Sequence, residues 1–503
     1  MSAKCFCCIA AFSLLALVSG CAVGPDFHRP EAPAAAGYTA QPLAATASSP
    51  DVAGGREQRF VKDMDISRQW WVLFESPPLN SLIERSLKAN PTIDAAKAAL
   101  RQAREYLAAQ KGFYFPTFQV NGSASPQKDP TQTLAPTLTS GSSYFTLYNA
   151  QLSVSYMPDV FGLNRRQVES LAAQAEFQLF QLEAAYLTLS SNVVAAAVQE
   201  ASLRAQIAAT HSIIEIAAKL LDIQRRHLGL GYATGLDVAA QEAALAQIQA
   251  TLPPLEKQLA LTRDLLAALA GRFPSEEMEE KFDLDALRLP QELPVSLPSK
   301  LVEQRPDMRA AEAQWHSACA QVGVAVANRL PQISITGAMG GTSTQIGQLF
   351  VPGNTFYNLT GSLTQTIFDA GALLHKERAA EAGLDQAAAQ YRSAVINAFQ
   401  NVADTLHALQ SDADALTAAV AAERAARRTL DLTRRQLELG SVNYPAVLAA
   451  EQGWQQALIN LTQARANRFA DSAALFMALG GGWWNSTGAA AAPRTQEVGC
   501  LQN

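Results

Sequence analysis

The sequence has few side chains whose types and spacing could support catalysis or metal binding. No two of its histidines have the HxxxH or HExxH spacing of a zinc site; they are His28, His211, His227, His316, His375 and His407. His316 and Cys319 could share one helix face, but two ligands do not make a metal site. GLGYATG from Gly229 is only superficially like a phosphate-binding loop, because no strand precedes it. We therefore expect no metal, no cofactor and no enzymatic activity.

Cys21 lies in a setting that indicates a specific modification. The preceding VSG (18–20) has an apolar residue followed by two small ones, and VSGC resembles the lipobox of bacterial lipoproteins. Small residues admit a peptidase to the scissile bond, and the thiol can accept diacylglycerol. Upstream, Lys4 and the apolar run 5–18 have the form of a signal peptide too short to span a bilayer. An ordinary signal peptide with a chance cysteine is the alternative.

The residue after Cys21 bears on the membrane to which a lipid would hold the chain. Ala22 follows, whereas the inner-membrane retention signal of lipoproteins usually has Asp there. This favours the outer membrane. One lipid group anchors stably only when a second interaction helps, so we expect the chain to have another hold on the membrane.

Composition excludes other classes. The 503 residues include 39 basic and 45 acidic side chains, for a net charge of −6, which argues against a nucleic-acid surface. A disulfide framework is not expected either. Three cysteines lie in the signal segment, Cys319 stands alone in a helical pattern and Cys500 lies in the C-terminal tail.

The chain contains two copies of one module. The segment starting NPTIDAAKAALRQAREY at Asn90 aligns without a gap with RPDMRAAEAQWHSACAQ at Arg305. Further on, RRHLGLGYATGLDVAAQEA from Arg225 aligns with RRQLELGSVNYPAVLAAEQ from Arg434. Because the order of elements is kept over about 200 residues, we interpret this as a tandem duplication.

Each copy predicts the same elements. Pro91 and Pro306 suit the first turn of a helix, which ends near Gly112 in copy one and Asn328 in copy two. Two strands joined by a polar loop follow. In copy one a helix then runs from Gly162 to about His227, roughly 100 Å at 1.5 Å per residue. A tight turn leads into a return helix of about 35 residues.

The strands alternate apolar with small, uncharged polar residues. TFQVNGSAS from Thr117 and NAQLSVSY from Asn149 show this period of two, as do the segments around Ile333 and Leu359. A polar face of Ser, Thr, Asn and Gln is typical of transmembrane β-strands around a wet lumen. The alternative is a soluble antiparallel sheet with one solvated face. A closed barrel needs at least eight strands, so four per chain predict eight from a dimer or twelve from a trimer.

Five motifs follow one another along the chain: CAVGPDFHRP, WWVLF with LNSLIERSLKANP, PDVFGLNRR, LVEQRPDMRAAEA and LGGGWW. Together with the duplicated module, they resemble the TolC/OprM outer-membrane efflux factor family, in its lipoprotein (NodT-like) branch. The resemblance covers Cys21 to about Trp484, and its motifs stand in family order.

The resemblance implies an α+β membrane protein, in which tandem modules supply four β-strands each chain to a trimeric twelve-stranded barrel above a long α-helical periplasmic tunnel. It also implies a homotrimer that docks to a periplasmic adaptor (membrane fusion) protein and an inner-membrane pump, often of the resistance–nodulation–division type. We predict a signal peptide at 1–20, an anchored segment at 21–78, repeats at 79–290 and 291–480, and a tail at 481–503.

The family's hairpin tips close the tunnel entrance and meet the adaptor. Here the tips are 229–237 and 440–445, with Gly231, Gly235 and Gly440 expected as helix-stop glycines of positive φ. Relatives often have Asp residues after the second tip, but AVLA (446–449) has none, which favours an apolar or polar constriction. The candidate tip and gate residues are Tyr232, Asp237, Asn443, Tyr444 and Val447.

The function expected is therefore a passive outer-membrane duct for small toxic compounds or drugs in a tripartite efflux system. One alternative is a duct for protein or peptide export. Another is a periplasmic coiled-coil adaptor lipoprotein, which would combine one helical hairpin with a compact β-rich domain.

Overall fold

The structure is a computed structural model that describes residues 22–35, 37–41, 43, 45–128, 130, 143–276 and 278–485. The signal peptide, Cys21 and residues 486–503 lie outside the described residues. The chain divides into two compact units. Of the described residues, unit 1 comprises those within 22–29, 99–178 and 311–391, and unit 2 those within 30–98, 179–310 and 392–485.

The element order repeats along the chain. Copy one contains α2 (Pro91–Gly112), β2 (Thr117–Lys128), β3 (Tyr144–Tyr156), α3 (Leu163–Gly229) and α4 (Gly235–Leu269). Copy two contains α6 (Pro306–Ala327), β5 (Gln332–Ser343), β6 (Thr355–Thr364), α7 (Ala372–Glu438) and α8 (Tyr444–Ala478). Corresponding helices have equal lengths of 22, 67 and 35 residues, which agrees with a duplicated module.

Two shorter elements precede copy one, and two more lie between the copies. They are β1 (Arg59–Lys62), α1 (Pro77–Ala89), β4 (Glu292–Val295) and α5 (Pro298–Gln304). Among the described residues, no helix combines the length and the apolar character that a membrane crossing demands.

Unit 1 contains a four-stranded antiparallel sheet in the order β2-β3-β5-β6. Its register places apolar residues beside apolar residues, and polar or small residues beside each other, across all four strands. One row joins Val120, Leu152, Met339 and Tyr357, and the next row joins Gln119, Ser153, Ala338 and Asn358. Because neighbouring residues in a strand point to opposite faces, the sheet has an apolar face and a polar one.

The two long helices begin in the same way. Asp159 accepts hydrogen bonds from the backbone N–H groups of Asn164 (2.9 Å) and Arg165 (2.8 Å) at the start of α3. In copy two, Asp369 accepts from Leu373 at 2.8 Å. These N–H groups have no partner inside the helix, so a carboxylate there satisfies them and suits the helix dipole. The same bonds lower the pKa of Asp369.

The return helices also end alike within unit 2. The side-chain amide of Asn90 donates to the carbonyl of Leu269 at 2.9 Å, and the Arg305 guanidinium donates to the carbonyl of Ala478 at 2.9 Å. Asn90 and Arg305 are the residues that start the two aligned segments. The duplication is therefore visible in the contacts that fasten each helical hairpin.

The core of unit 2 is aromatic. Trp70, Trp71 and Phe74 of a 3-10 helix are at most 5 % exposed. Trp70 stacks on Phe476 with 5.3 Å between ring centroids and 14° between planes. Burial of large aromatic rings such as these contributes strongly to hydrophobic stabilisation. Trp70 and Trp71 therefore pack inside the protein and do not form a membrane-interface belt.

A parallel pair of short strands, β1 and β4, also lies in unit 2 and was not expected from the sequence. Arg59 pairs with Glu292, and Lys62 pairs with Val295.

Candidate functional site

The first hairpin tip, residues 229–237, joins α3 to α4. Gly231 has φ +80°. Its N–H donates to the carbonyl of Leu228 at 3.1 Å, and the N–H of Tyr232 donates to that of His227 at 2.8 Å. These two bonds satisfy carbonyls that the helix end leaves open, and they require a left-handed residue at Gly231.

A capping box starts the return helix α4. The Thr234 hydroxyl accepts from the N–H of Asp237 at 3.2 Å, while the Asp237 carboxylate accepts from the N–H of Thr234 at 2.9 Å. The hydrogen bonds from Thr234 lower the pKa of Asp237. Gly235 is the first residue of α4, and its φ is not positive. The expectation that Gly235 is a helix-stop glycine is therefore wrong, because Gly231 alone makes the left-handed turn and Thr234 starts the helix.

The second hairpin tip, residues 440–445, joins α7 to α8. Gly440 has φ +71°, and the N–H groups of Gly440 and Ser441 donate to Leu437 and Gln436, both at 2.9 Å. Asn443 occupies the N-cap of α8, but its side chain makes no capping hydrogen bond. Pro445 lies in the first turn, where its missing N–H costs nothing.

The candidate residues at the two tips differ in exposure. Tyr232 of tip one is 81 % exposed, and Leu230 and Leu236 of the same tip are also exposed. Leu439, directly before tip two, is exposed as well. Tyr444 is only 7 % exposed and Val447 is fully buried, so the rest of the chain covers both. Tip one therefore presents apolar side chains outward, whereas Tyr444 and Val447 of the second hairpin lie inside the protein and Asn443 beside them is exposed.

Each hairpin has one Arg–Glu pair at the same place in the repeat. Arg225 pairs with Glu242 at 2.7 Å, and Arg434 pairs with Glu451 at 3.0 Å. Both side chains of the first pair are exposed, at 58 and 48 %, whereas Glu451 of the second is 5 % exposed. The equivalent ion pairs therefore join the helices of the two hairpins in different surroundings: the first pair is exposed to water, and the second is partly buried.

Burial dominates the electrostatics of tip two. Burial raises the pKa of the Glu451 carboxyl, and the Arg434 guanidinium opposes this rise. Burial also raises the pKa of Tyr444, with the Glu451 charge adding to the effect. The Tyr444 hydroxyl is buried without a hydrogen-bond partner among the described residues. A buried hydroxyl without a hydrogen-bond partner destabilises the arrangement that buries it, and a rearrangement that exposes the hydroxyl to water removes this penalty.

Sequence reasoning missed the partners of these candidates. Thr234 and Asp237 show the T-x-x-D spacing of a capping box, which could have been found. Arg225 with Glu242 and Arg434 with Glu451 repeat at one spacing, 17 residues, in the aligned segments. This repeated spacing could have predicted an ion pair across each hairpin.

His316 and Cys319, considered above as a possible metal-binding pair, both have other partners in unit 1. His316 Nε2 lies 2.9 Å from Glu169 Oε1, and Cys319 is buried with a raised pKa that burial causes. In the described part of the chain, no three such side chains cluster as a metal site would need. Cys21 itself lies outside the described residues, but Ala22 after it contacts Gly162.

The chain is similar to known outer-membrane proteins in both sequence and structure. The family model described as "Outer membrane efflux protein" matches residues 82–272 and 297–481, once for each copy. The outer-membrane channel OprN has a solved structure that superposes with a TM-score of 0.82, at 26 % identity, covering 92 % of this chain and 100 % of that one.

Two curated relatives align over almost their whole length. The toluene efflux pump outer membrane protein TtgC of Pseudomonas putida is 28 % identical over 479 residues, 94 % of this chain and 95 % of the relative. The pyoverdine export outer membrane protein OpmQ of Pseudomonas aeruginosa is 30 % identical over 459 residues, 89 % of this chain and 94 % of the relative. The resemblance found in the sequence motifs is confirmed by these matches.

Proposed function

Because the chain belongs to the outer membrane efflux protein family, we propose that it is the exit duct for small organic toxicants that an inner-membrane pump delivers. The protein is the outer-membrane channel of a tripartite efflux system, a homotrimer that works with a periplasmic adaptor and an inner-membrane pump. Four strands of each chain enter a twelve-stranded barrel, and the long helices form the periplasmic tunnel.

One observation carries this function: a sheet with two unlike faces whose outer strands are open. Among the described residues, β2 and β6 each pair on one side only. An open sheet edge is not tolerated in lipid, so neighbouring subunits must complete the pairing. The apolar row through Val120 and Leu152 suits lipid, and the polar row through Gln119 and Ser153 suits a water-filled lumen.

The names of the relatives support the substrate class. They describe efflux of toluene and export of pyoverdine, which are both small molecules in comparison with a folded protein. We expect deletion of the gene to make the cells more sensitive, so that growth stops at lower concentrations of toluene and of antibiotics. Complementation should restore the original inhibitory concentrations. An unchanged susceptibility together with loss of a secreted protein would favour the export alternative.

The adaptor alternative disagrees with the architecture. An adaptor lipoprotein would have one helical hairpin beside a compact β-rich domain. The part of this chain that the structure describes has two hairpins of equal length, α3–α4 and α7–α8, and one four-stranded sheet built from both copies. We also propose that the duct is passive and catalyses no reaction, with the energy for transport coming from a pump of the resistance–nodulation–division type.

The lipid anchor at Cys21 is a second proposal. The lipobox VSGC supports it, and the sheet supplies the second membrane contact that stable anchoring needs. Exported Cys21→Ala should lose labelling by a radioactive fatty acid and still form trimeric pores. Loss of trimers in that variant would instead make the anchor a requirement for assembly.

The hairpin tips are proposed as the gate and the adaptor-docking surface. Exposed Tyr232 suits docking, while Asp237, Asn443, Tyr444 and Val447 hold the tips in the closed arrangement. Asp237→Ala removes the capping box and Tyr444→Ala removes a buried ring, so each should raise single-channel conductance. Conductance equal to that of the unaltered protein in both variants would refute the gate.

A further inference from the structure

The segment that follows Cys21 is docked in unit 1 by one buried cation. Arg166 of α3 is 3 % exposed. Its guanidinium donates to the carbonyls of Val23 at 3.0 Å and Gly24 at 3.3 Å, and to the Asp26 carboxylate at 2.7 Å. Glu169 holds the same guanidinium at 2.8 Å. A buried arginine with this many charge-assisted bonds fixes the backbone it contacts.

The rest of the segment is fitted closely against α6. Phe27 stacks on His316 with 4.5 Å between ring centroids, and Cys319 Sγ lies 3.6 Å from the carbonyl of Pro25. Gly24 has φ +95°, and a Cβ there would lie 2.4 Å from the backbone of Gly323. Only glycine fits this close approach of two backbones. Residues 22–29, the N-terminal strap, are therefore held in one position.

The strap brings its first residue to the end of the membrane sheet. The N–H of Val23 donates to the carbonyl of Phe161 at 3.2 Å, and a Cβ on Gly162 would touch Ala22 at 2.6 Å. Phe161 follows β3, which ends at Tyr156. Ala22, which follows Cys21 in the sequence, therefore lies at this junction.

A cavity of about 440 Å³ opens at the same junction. Its apolar wall includes Phe113, Phe115, Met157, Phe161 and Leu163. In the single chain Phe113 is 61 % exposed, Phe115 71 % and Met157 52 %, so the wall of the cavity offers apolar surface to an occupant. An apolar occupant would remove this surface from water.

We propose that this cavity binds an acyl chain of the lipid on Cys21, and that Arg166 is the positioning residue that brings the chain there by holding the strap. The inference rests on the proposed acylation of Cys21. It assigns to Phe161 and Leu163 the contact with the head of the chain, and to Phe113 and Phe115 the contact with its length. The lipid then fills a place in the protein as well as entering the bilayer.

Photocrosslinking tests this assignment in the full-length protein. Cells are grown with a palmitate analogue that carries a diazirine, the trimer is purified and irradiated, and the crosslinked residues are mapped by mass spectrometry. We expect crosslinks within 113–115 and 157–164. Crosslinks only to phospholipid, to the apolar strand face or to a neighbouring subunit would overturn the cavity as the binding site.

Variants separate positioning from folding. Arg166→Met and Gly24→Ala should keep acyl labelling and lose at least about tenfold in crosslink yield, as expected for loss of a buried charge-assisted bond. His375 occupies the position equivalent to Arg166 in copy two and is exposed, so His375→Met is the matched control and should crosslink like the unaltered protein. Unchanged crosslinking in both strap variants would refute the role of Arg166.

Failure of the anchor is distinguished from failure of the cavity. If no label enters the protein, Cys21 is not acylated, and the anchor and this inference fall together. The duct function is judged separately, since it is measured as conductance by unlabelled trimers.

Discussion

At the scale of single residues, unit 2 contains a partly buried carboxyl group whose pKa is raised toward neutrality. Asp412 of α7 faces Asp471 of α8, and burial together with that second carboxylate raises the pKa of Asp412 to about 7. Arg468 is fully buried nearby, and burial lowers its pKa to about 10. Arg468 donates to the Thr46 hydroxyl at 2.8 Å, which ties the segment before β1 to α8.

The raised pKa makes stability depend on pH. From the ordinary value of 3.8 up to about 7, the folded chain holds a proton that the unfolded chain has lost, so stability falls as the pH rises through this range. Asp412→Asn removes the titration. It should raise Tm by about 2 to 4 °C at pH 8 and change it little at pH 5, in thermal melts followed by circular dichroism.

Asp414 provides the control for this substitution. It lies two residues away and is exposed, so Asp414→Asn should leave Tm nearly unchanged at both pH values. An equal gain for Asp412→Asn at pH 5 and pH 8 would show that the carboxyl pair does not titrate as described.

The duplicated ion pairs provide a second test at this scale. Glu451→Gln leaves the Arg434 charge partly buried without its partner, and should destabilise tip two by about 1 to 3 kcal/mol. The equivalent Glu242→Gln acts on an exposed pair and should cost less than about 1 kcal/mol. Hydrogen exchange of the amides in 434–447 and 225–238 measures both. Equal effects would mean that burial does not distinguish the two tips.

The residue scale is also where the sequence was least informative. Periodicity indicated that Tyr444 and Val447 begin a return helix, but a helix can turn either face to its neighbours. Their burial is decided by packing with the rest of unit 2, which one sequence does not contain. The left-handed conformations of Gly231 and Gly440 were readable, because glycine at a helix end has a local physical cause.

At the scale of elements, the sheet of unit 1 joins the two copies. Strands β3 and β5 come from different copies and pair from Tyr148 with Ser343 to Tyr156 with Ile335. The alternation of apolar and polar residues predicted these strands because a period of two is a strong local signal. The pair β1 and β4 was missed, since each has four residues and the partner lies more than 200 residues away.

The two faces of the sheet predict opposite responses to a new charge. Val120 lies on the apolar face and is 84 % exposed, so Val120→Arg should cost about 2 to 4 kcal/mol in lipid and sharply reduce the yield of folded trimer in outer membranes. Ser123 lies on the polar face of the same strand. Ser123→Arg should assemble normally and alter ion selectivity in bilayers. Normal trimer yield for Val120→Arg would reverse the assignment of the faces.

At the scale of the whole molecule, the chain is one third of a functional unit. The duplication supplies two helical hairpins of equal length and four strands, and the outer strands β2 and β6 need partners from other chains. The sequence predicted an oligomer on these grounds and left dimer and trimer open; the family resemblance, confirmed by the matches, selects the trimer. Substrate identity was not predictable, because a conduit touches its cargo only in passing.

The measurement that tests the central claim most directly is planar-bilayer conductance of the purified protein, with chemical crosslinking of the same sample. We predict stepwise ion-conducting channels, and a crosslinked species of three chains that accounts for them. A monomeric or dimeric mass, together with bilayers that remain electrically silent, would contradict the assignment of this protein as a trimeric outer-membrane duct.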